Sequence, residues 1–274
     1  MRKKIKGIGM IGVIASLLLM LSCGPASDES QDYDANEISS PEMDANSSDL
    51  KITANTVSLY HFNKTYEAWS CGPYARWTRD VVSGYDLIVG EYHYDEYRGA
   101  KLSANTPFAS GKSFKFDGIK DYLVGNRCGF YHGLKNLPQG TVEAYVNVTL
   151  FSGSACGIVS TYSCVNTDCD TTVSDAFEFG VDTDRKVFVS LPPAGVTLKS
   201  NKLLKLGKWY HLATTWDGSY LKIYINGVLD NKVATNAGVG DSNHLDVGRI
   251  QNTNAYCKGY IDEVRISRVA LYAK

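Results

Sequence analysis

The chain has 274 residues, 44% hydrophobic and 21% charged, with 28 Lys/Arg against 29 Asp/Glu and a formal net charge of −1. That length leaves room for one sizeable core. The near-neutral balance, without a basic stripe, excludes nucleic acid as an expected partner.

The first stretch reads as an address rather than as structure. Arg2, Lys3, Lys4 and Lys6 precede the apolar run "IGMIGVIASLLLMLS", which stops at Cys23 after Ser22 and before Gly24. A basic segment, a short apolar core and a small-residue cleavage site are set aside from fold reasoning. The order resembles a bacterial lipoprotein signal peptide over residues 1–22, with "MLSC" as its lipobox and Met20 where Leu is commoner. The alternative is an uncleaved membrane anchor, but the run is short for a spanning helix. The resemblance implies that Cys23 becomes a lipidated N-terminus and anchors the chain to a membrane of the bacterial cell envelope. Gly24 stands where an Asp often retains lipoproteins at an inner membrane, which points to the outer membrane, periplasmic or surface-exposed.

Residues 23–52 follow as a polar, acidic tether. From 24 to 52 there are eight acidic residues and one lysine, with no hydrophobic period, the composition of a disordered linker. The remaining domain, residues 53–274, holds 23 basic and 21 acidic residues. It carries six cysteines, Cys71, Cys128, Cys156, Cys164, Cys169 and Cys257. An even number without a CxxC pair in an exported chain favours disulfides over zinc. Spacing leaves the pairing open, although Cys164 and Cys169 flank a short "VNTD" segment that a bridge would close into a tight loop.

The periodicity of this domain is two throughout. Strand candidates run in order as "VSLYHF", "KSFKF", "TVEAYVNVTL", "CGIVSTY", "AFEFGV", "KVFVSL", "WYHLATTW", "YLKIYI", "VLDNKV", "HLDVG" and "GYIDEVRI". In the third, Val142, Ala144, Val146, Val148 and Leu150 share one face. Asp217-Gly218 and Asn226-Gly227 bracket "YLKIYI" and mark two tight hairpins. So many strands with Gly and Asp turns predict an all-β, two-sheet antiparallel sandwich of jelly-roll type.

The order of those pieces carries a resemblance. "GKWYHLATTWDGSYLKIYINGVLD" is similar to the central signature of laminin-G-like, concanavalin A-like jelly rolls. "VSLYHF", "RDVVSGYDL", "KSFKFDGIKDYL", "GTVEAYV", "VGRI" and "GYIDEVRIS" resemble other strands and loops of that family in the same order, from about residue 56 to 272. The resemblance implies packing roles for Trp209 and Trp216 and a structural role for His211. It also bears on Asp262, which strict alternation places with Tyr260, Val264 and Ile266 in an apolar layer where an uncompensated carboxylate costs several kcal/mol. Related glucanases bind a structural calcium through an Asp of the last strand. By resemblance Asp262 gives its side chain, and Gly118 with His61 or Asn63 gives further oxygens to Ca2+, which takes six to eight.

Catalytic constellations are sparse. "EYHYDEY" would set Glu91, His93 and Asp95 on one face, but its order and place differ from the family's catalytic line, and it reads as a solvated loop or edge strand. Glu178, Asp182 and Asp184 in "DAFEFGVDTD" do not make that motif either. No G-x-S-x-G or H-E-x-x-H occurs. The aromatics outside the family pattern, Trp69, Tyr74, Trp77, Tyr92, Tyr94 and Tyr97, are candidates to stack on sugar rings or anchor a partner; five of them, Trp69, Trp77, Tyr92, Tyr94 and Tyr97, form the expected ligand site. The expectation is a surface-tethered, non-catalytic module that binds a glycan or glycosylated partner, with a structural calcium. A glycoside hydrolase or lyase of the same fold, and a structural or adhesion lipoprotein without a small ligand, are the alternatives.

Overall fold

The computed structural model describes residues 50–69, 74–93, 96–127, 130–131, 134, 136–163 and 174–272. Cys23, Cys71, Cys128, Cys164 and Cys169, with the signal and nearly all of the tether, lie outside them. The early strands are β1 (Thr56–Tyr60), β2 (Tyr66–Trp69), β3 (Tyr74–Thr78), β4 (Leu87–His93), β5 (Glu96–Gly99), β6 (Lys101–Ser103), β7 (Ser113–Asp117) and β8 (Leu123–Val124). Then come β9 (Asn126–Arg127), β10 (Phe130–Tyr131), β11 (Gly140–Val148), β12 (Cys156–Ser163), β13 (Ser174–Val181), β14 (Lys186–Leu191) and β15 (Val196–Leu203). The last are β16 (Tyr210–Trp216), β17 (Tyr220–Ile225), β18 (Val228–Ala234), β19 (His244–Val247), β20 (Arg249–Ile250), β21 (Ala255–Tyr256) and β22 (Lys258–Ser267). No helix among the described residues is long and apolar enough to cross a membrane.

Two antiparallel sheets form a sandwich. The first runs β18-β17-β16-β11-β22-β7-β6, with β1 also paired to β22; the second runs β15-β14-β13-β12-β19-β8-β4-β3-β2, with β5 on β4. The predicted alternation explains the layer between them. Val142, Ala144, Val146 and Val148 of β11 meet Phe177, Phe179, Val187, Val189, Leu245 and Val247 from the second sheet. Trp216 is fully buried and donates its indole N–H to the Leu137 carbonyl at 2.8 Å. Trp209, expected in the core, is only half-buried; it packs near Tyr260 and donates to Asn105 Oδ1.

Turn chemistry sets the register. Asn226 and Gly227 adopt φ of 53° and 75°, which a two-residue hairpin of the right twist requires. Asp217 accepts the N–H groups of Ser219 and Tyr220 and so closes the preceding turn. A disulfide joins Cys156 of β12 to Cys257, just ahead of β22, and so staples the second sheet to the first. The strands β2 to β5 and β15 were not marked by the sequence pattern; "EYHYDEY" spans the β4–β5 hairpin at one side of the second sheet.

Candidate functional site

The last strand settles what Asp262 faces. Tyr145 lies opposite Asp262 and Glu143 opposite Arg265, so β22 spends one residue more than β11 between these pairs. Glu263 takes φ of 50° at this bulge. The extra residue turns Asp262 away from Val264 and Ile266, which stay in the core, and onto the outer face of the first sheet. There its Oδ2 accepts the Thr106 hydroxyl at 2.7 Å and its Oδ1 accepts the Glu263 N–H at 3.0 Å. The expected calcium ligands do not gather around it. Ile261 pairs with Phe114 and Lys258 with Asp117. Gly118 therefore sits at the far end of β7, roughly 16 Å from Asp262 at a rise of about 3.3 Å per residue. The side chain of His61 bonds Glu263 at 2.9 Å, and Asn63 Oδ1 accepts the Lys112 N–H at 2.9 Å. Asp262 and Gly118 are too far apart to share one calcium ion, and no group of three or more His, Cys, Asp and Glu suited to a metal occurs among the described residues.

The charged groups of that outer face are paired with one another, although Asn147 Oδ1, Thr215 Oγ1 and Ser267 Oγ on the same face are buried without a partner among the described residues. Glu143, completely buried, accepts Arg265 Nε at 2.7 Å, Tyr272 Oη at 2.7 Å and His211 Nε2 at 2.8 Å. Burial alone would raise its pKa, but Arg265, His211 and Tyr272 together hold it down to about 2. Arg265 also donates to the Lys51 carbonyl, and Glu263 accepts the Leu50 N–H, so the segment before β1 covers the layer. His211 is structural, in agreement with the resemblance.

The outer face of the second sheet is different. A single cross-strand row runs Trp77, Ile88, Val124, Asp246, Ser160, Glu178, Ser190 and Thr197, each directly opposite the next. Near its middle, Asp246 is fully buried and paired with Arg249 at 2.5 Å. Tyr162 donates to Asp246 and accepts from Arg249, both at 3.2 Å, and the guanidinium lies 3.5 Å from the Tyr122 ring centroid. His244 stacks on Tyr162 with centroids 4.7 Å apart. Gly157 allows this cluster to form, because a Cβ there would stand 2.6 Å from the Arg249 carbonyl carbon. Burial raises the Asp246 pKa to about 6 against the pull of Arg249, and burial with that same guanidinium lowers His244 to about 4.

Beside this satisfied cluster stands an unsatisfied one. Tyr162 lies opposite Asp175 and Thr161 opposite Phe177, so Ala176 is an extra residue. That bulge brings Asp175 to the same outer face as Glu178, three positions on. Asp175 is 6% exposed, yet neither of its carboxylate oxygens has a partner of ordinary hydrogen-bond geometry among the described residues. Burial raises the Asp175 pKa, and hydrogen bonding from the neighbouring Glu178 and Asn252 side chains pulls it back down. Burial, then the charge of Asp175, pushes Glu178 up to about 7. At the other end of the row, the buried indole N–H of Trp77 also lacks an acceptor. An unpaired buried polar group costs about 1–3 kcal/mol, so such atoms mark a place where a ligand has something to gain.

Of the expected ligand residues, the structure sets Trp77 on this face. Trp69, Tyr92 and Tyr97 belong to backbone strands of the same side of the sheet, Tyr92 directly opposite Tyr97, but their side chains lie outside the described residues, as does Tyr94 entirely. The β4–β5 hairpin likewise holds Glu91 and His93, while Asp95 falls outside. Asp182 turns away into a hairpin, accepting the Lys186 N–H and Lys199 Nζ. Asp175, Asp246, Arg249 and Tyr122 were missed because strict alternation puts Asp175 and Glu178 on opposite faces. An acidic residue on each side of a "DAFE" segment was the available signal.

Known proteins now supply a context for this geometry. No curated protein sequence matches the chain significantly. Among solved structures, Trypanosoma rangeli sialidase in complex with sialic acid is similar at 16% identity and a TM-score of 0.51, over 80% of this chain and 31% of that one. The chain thus spans about a third of the sialidase. Domain 4 of AbnA, a GH43 extracellular arabinanase from Geobacillus stearothermophilus, in complex with arabinotriose, is similar at 19% identity and a TM-score of 0.52, over 79% of this chain and 93% of that one. Both likenesses agree with the sandwich described above. Residues 132–274, more than half of the sequence and nearly every strand of both outer-face clusters from β11 onward, match one family, and the chain belongs to the concanavalin A-like lectin/glucanases superfamily.

Proposed function

We propose that this protein is a non-catalytic glycan-binding module that receives its ligand on the outer face of the second sheet. The observation that carries the reading is Asp175: a carboxylate, nine-tenths buried, whose two oxygens have no partner of ordinary hydrogen-bond geometry among the described residues. A sugar hydroxyl would be a donor to them. Trp77 stands five strand spacings along the same face, roughly 24 Å at about 4.8 Å per strand. It contributes an aromatic body and an N–H without an acceptor among the described residues, which a further unit of a longer glycan chain could meet. The arabinotriose complex of the arabinanase domain supports a carbohydrate role for a sandwich of this form. A lipid on Cys23 and the acidic tether would hold the module at the cell envelope, facing its glycan or glycosylated partner.

The test is a glycan array probed with the intact chain. Saturable binding to one sugar class, weakened at least about tenfold by Asp175→Asn and by Trp77→Ala, supports the reading, since site hydrogen bonds and aromatic anchors each carry that much affinity. A blank array with folded protein refutes it. One observation favours a second reading, hydrolysis: Glu178 is shifted to about 7 beside a second carboxylate, the condition for an acid–base pair. Release of new reducing ends from the bound glycan, abolished by Glu178→Gln, would move the protein to that class.

A further inference from the structure

The chemistry around Asp175 also says which sugars this face accepts, an inference that rests on the glycan-binding reading. Arg249 is the positive charge of the cluster among the described residues, and it is already committed. Its Nε and a terminal nitrogen meet Asp246 at 2.6 and 2.5 Å, that terminal nitrogen also meets Tyr162, and its plane lies on Tyr122. Arg249 is 7% exposed, so little of its guanidinium faces solvent there. Asp175 and Glu178, in contrast, share one face through the bulge at Ala176, with no ion pair to either among the described residues. An incoming sialic or uronic carboxylate would meet the Asp175 carboxylate with no uncommitted cation among the described residues to offset it, a like-charge approach into a poorly solvated place. Asp175 can only accept hydrogen bonds while ionised, whereas a hydroxyl both donates and accepts.

We propose that the Asp175–Glu178 end of this face takes uncharged, hydroxyl-bearing sugar units, whose hydroxyls donate to Asp175, and rejects anionic ones. The raised titration of Glu178 adds to this, because a carboxyl that keeps its proton near neutrality offers a donor beside the acceptor. Of the two solved relatives, the one seen with a neutral arabinotriose, rather than the one seen with sialic acid, then holds the kind of ligand expected here.

The experiment is a calorimetric titration of the intact chain with two matched panels. One holds neutral arabino-, xylo-, gluco- and manno-oligosaccharides; the other holds sialyllactose and oligogalacturonates. Binding should be confined to neutral members, with anionic ones at least about 100-fold weaker, because a site built around hydrogen-bonded hydroxyls rejects a partner that leaves its buried groups unpaired. Asp175→Asn and Glu178→Gln should each weaken neutral binding at least about tenfold at an unchanged melting temperature, while Asp182→Asn, outside the cluster, should not. Anionic members that bind as tightly as neutral ones would overturn the inference and leave glycan binding standing. Neutral binding untouched in both Asp175→Asn and Glu178→Gln would do the same. Two blank panels would sink both.

Discussion

The two outer faces of this sandwich bury acidic residues to a similar depth and pair them to different extents. On the first sheet, Glu143 is fully buried and meets Arg265, His211 and Tyr272, so its charge is stabilised. On the second, Asp246 is likewise paired with Arg249, but Asp175, nearly as buried, has no partner of ordinary hydrogen-bond geometry among the described residues, and Glu178 beside it is held toward its protonated form. Segments outside the strands, from Leu50 and Lys51 to Tyr272, close the first face with hydrogen bonds. A face that satisfies every charge with its own chain serves stability. Acceptors left open on the second face are where the proposed ligand would gain most.

The sharpest way to break this contrast is one substitution on each face. Glu143→Leu strands the Arg265 guanidinium and costs about 3–5 kcal/mol, the usual penalty for removing one member of a buried pair. Asp175→Asn removes a charge that no ion pair among the described residues compensates, so stability stays level or rises by about 1 kcal/mol. Urea denaturation of both variants reads the difference. If Asp175→Asn were as destabilising as Glu143→Leu, the second face would be structural like the first.

Proton linkage sharpens the same contrast with a smaller effect. Glu143 titrates at about 2 when folded, below its ordinary 4.5, so its stabilisation is present above 4.5 and is lost as pH falls toward 2. Glu178 has the opposite sign. Its folded value of about 7 lies above 4.5, so the folded state holds the extra proton in that window and stability declines as pH rises through it. Asp246, raised to about 6, adds to the decline, and His244, lowered to about 4, opposes it below its ordinary 6.5. The difference between wild type and Glu178→Gln isolates the term. Urea midpoints from pH 4.5 to 8 should show the variant gaining on wild type up to about pH 7 and then running parallel. Parallel curves throughout would mean that Glu178 ionises as it does in the unfolded chain.

What the sequence disclosed and what it hid divide along physical lines. The period-two runs, the Asn226-Gly227 turn and the buried Trp216 followed from local rules, and the two sheets stand where those rules place them. Both candidate sites turned on a single extra residue. The bulge at Glu263 moved Asp262 out of the core, and the bulge at Ala176 brought Asp175 level with Glu178. A bulge depends on what the neighbouring strand does, so no periodicity within one strand reveals it. The Arg249–Tyr122 stack joins positions 127 residues apart and leaves no local signature either. Trp77 stood out in the sequence because an aromatic outside the family's packing positions is legible one residue at a time.

Asp262 supplies the smallest expected effect and a check on the whole comparison. It belongs to the satisfied face, with the Thr106 hydroxyl on one oxygen and the Glu263 N–H on the other. Asp262→Asn keeps an acceptor for one of these and exchanges the second for an amide, so it should cost no more than about 1 kcal/mol, the net worth of one hydrogen bond. A bound cation would behave otherwise, since an ion at about 100 times its Kd contributes about 2.7 kcal/mol to the folded state and chelation removes it. Thermal melts of wild type and Asp262→Asn, each with and without EDTA, separate the cases. Four nearly coincident melts place Asp262 among the internally satisfied acids of the first face. A wild-type melt that drops in EDTA, with Asp262→Asn already lowered and insensitive to the chelator, would restore a metal at that strand and remove Asp262 from the satisfied side of the comparison.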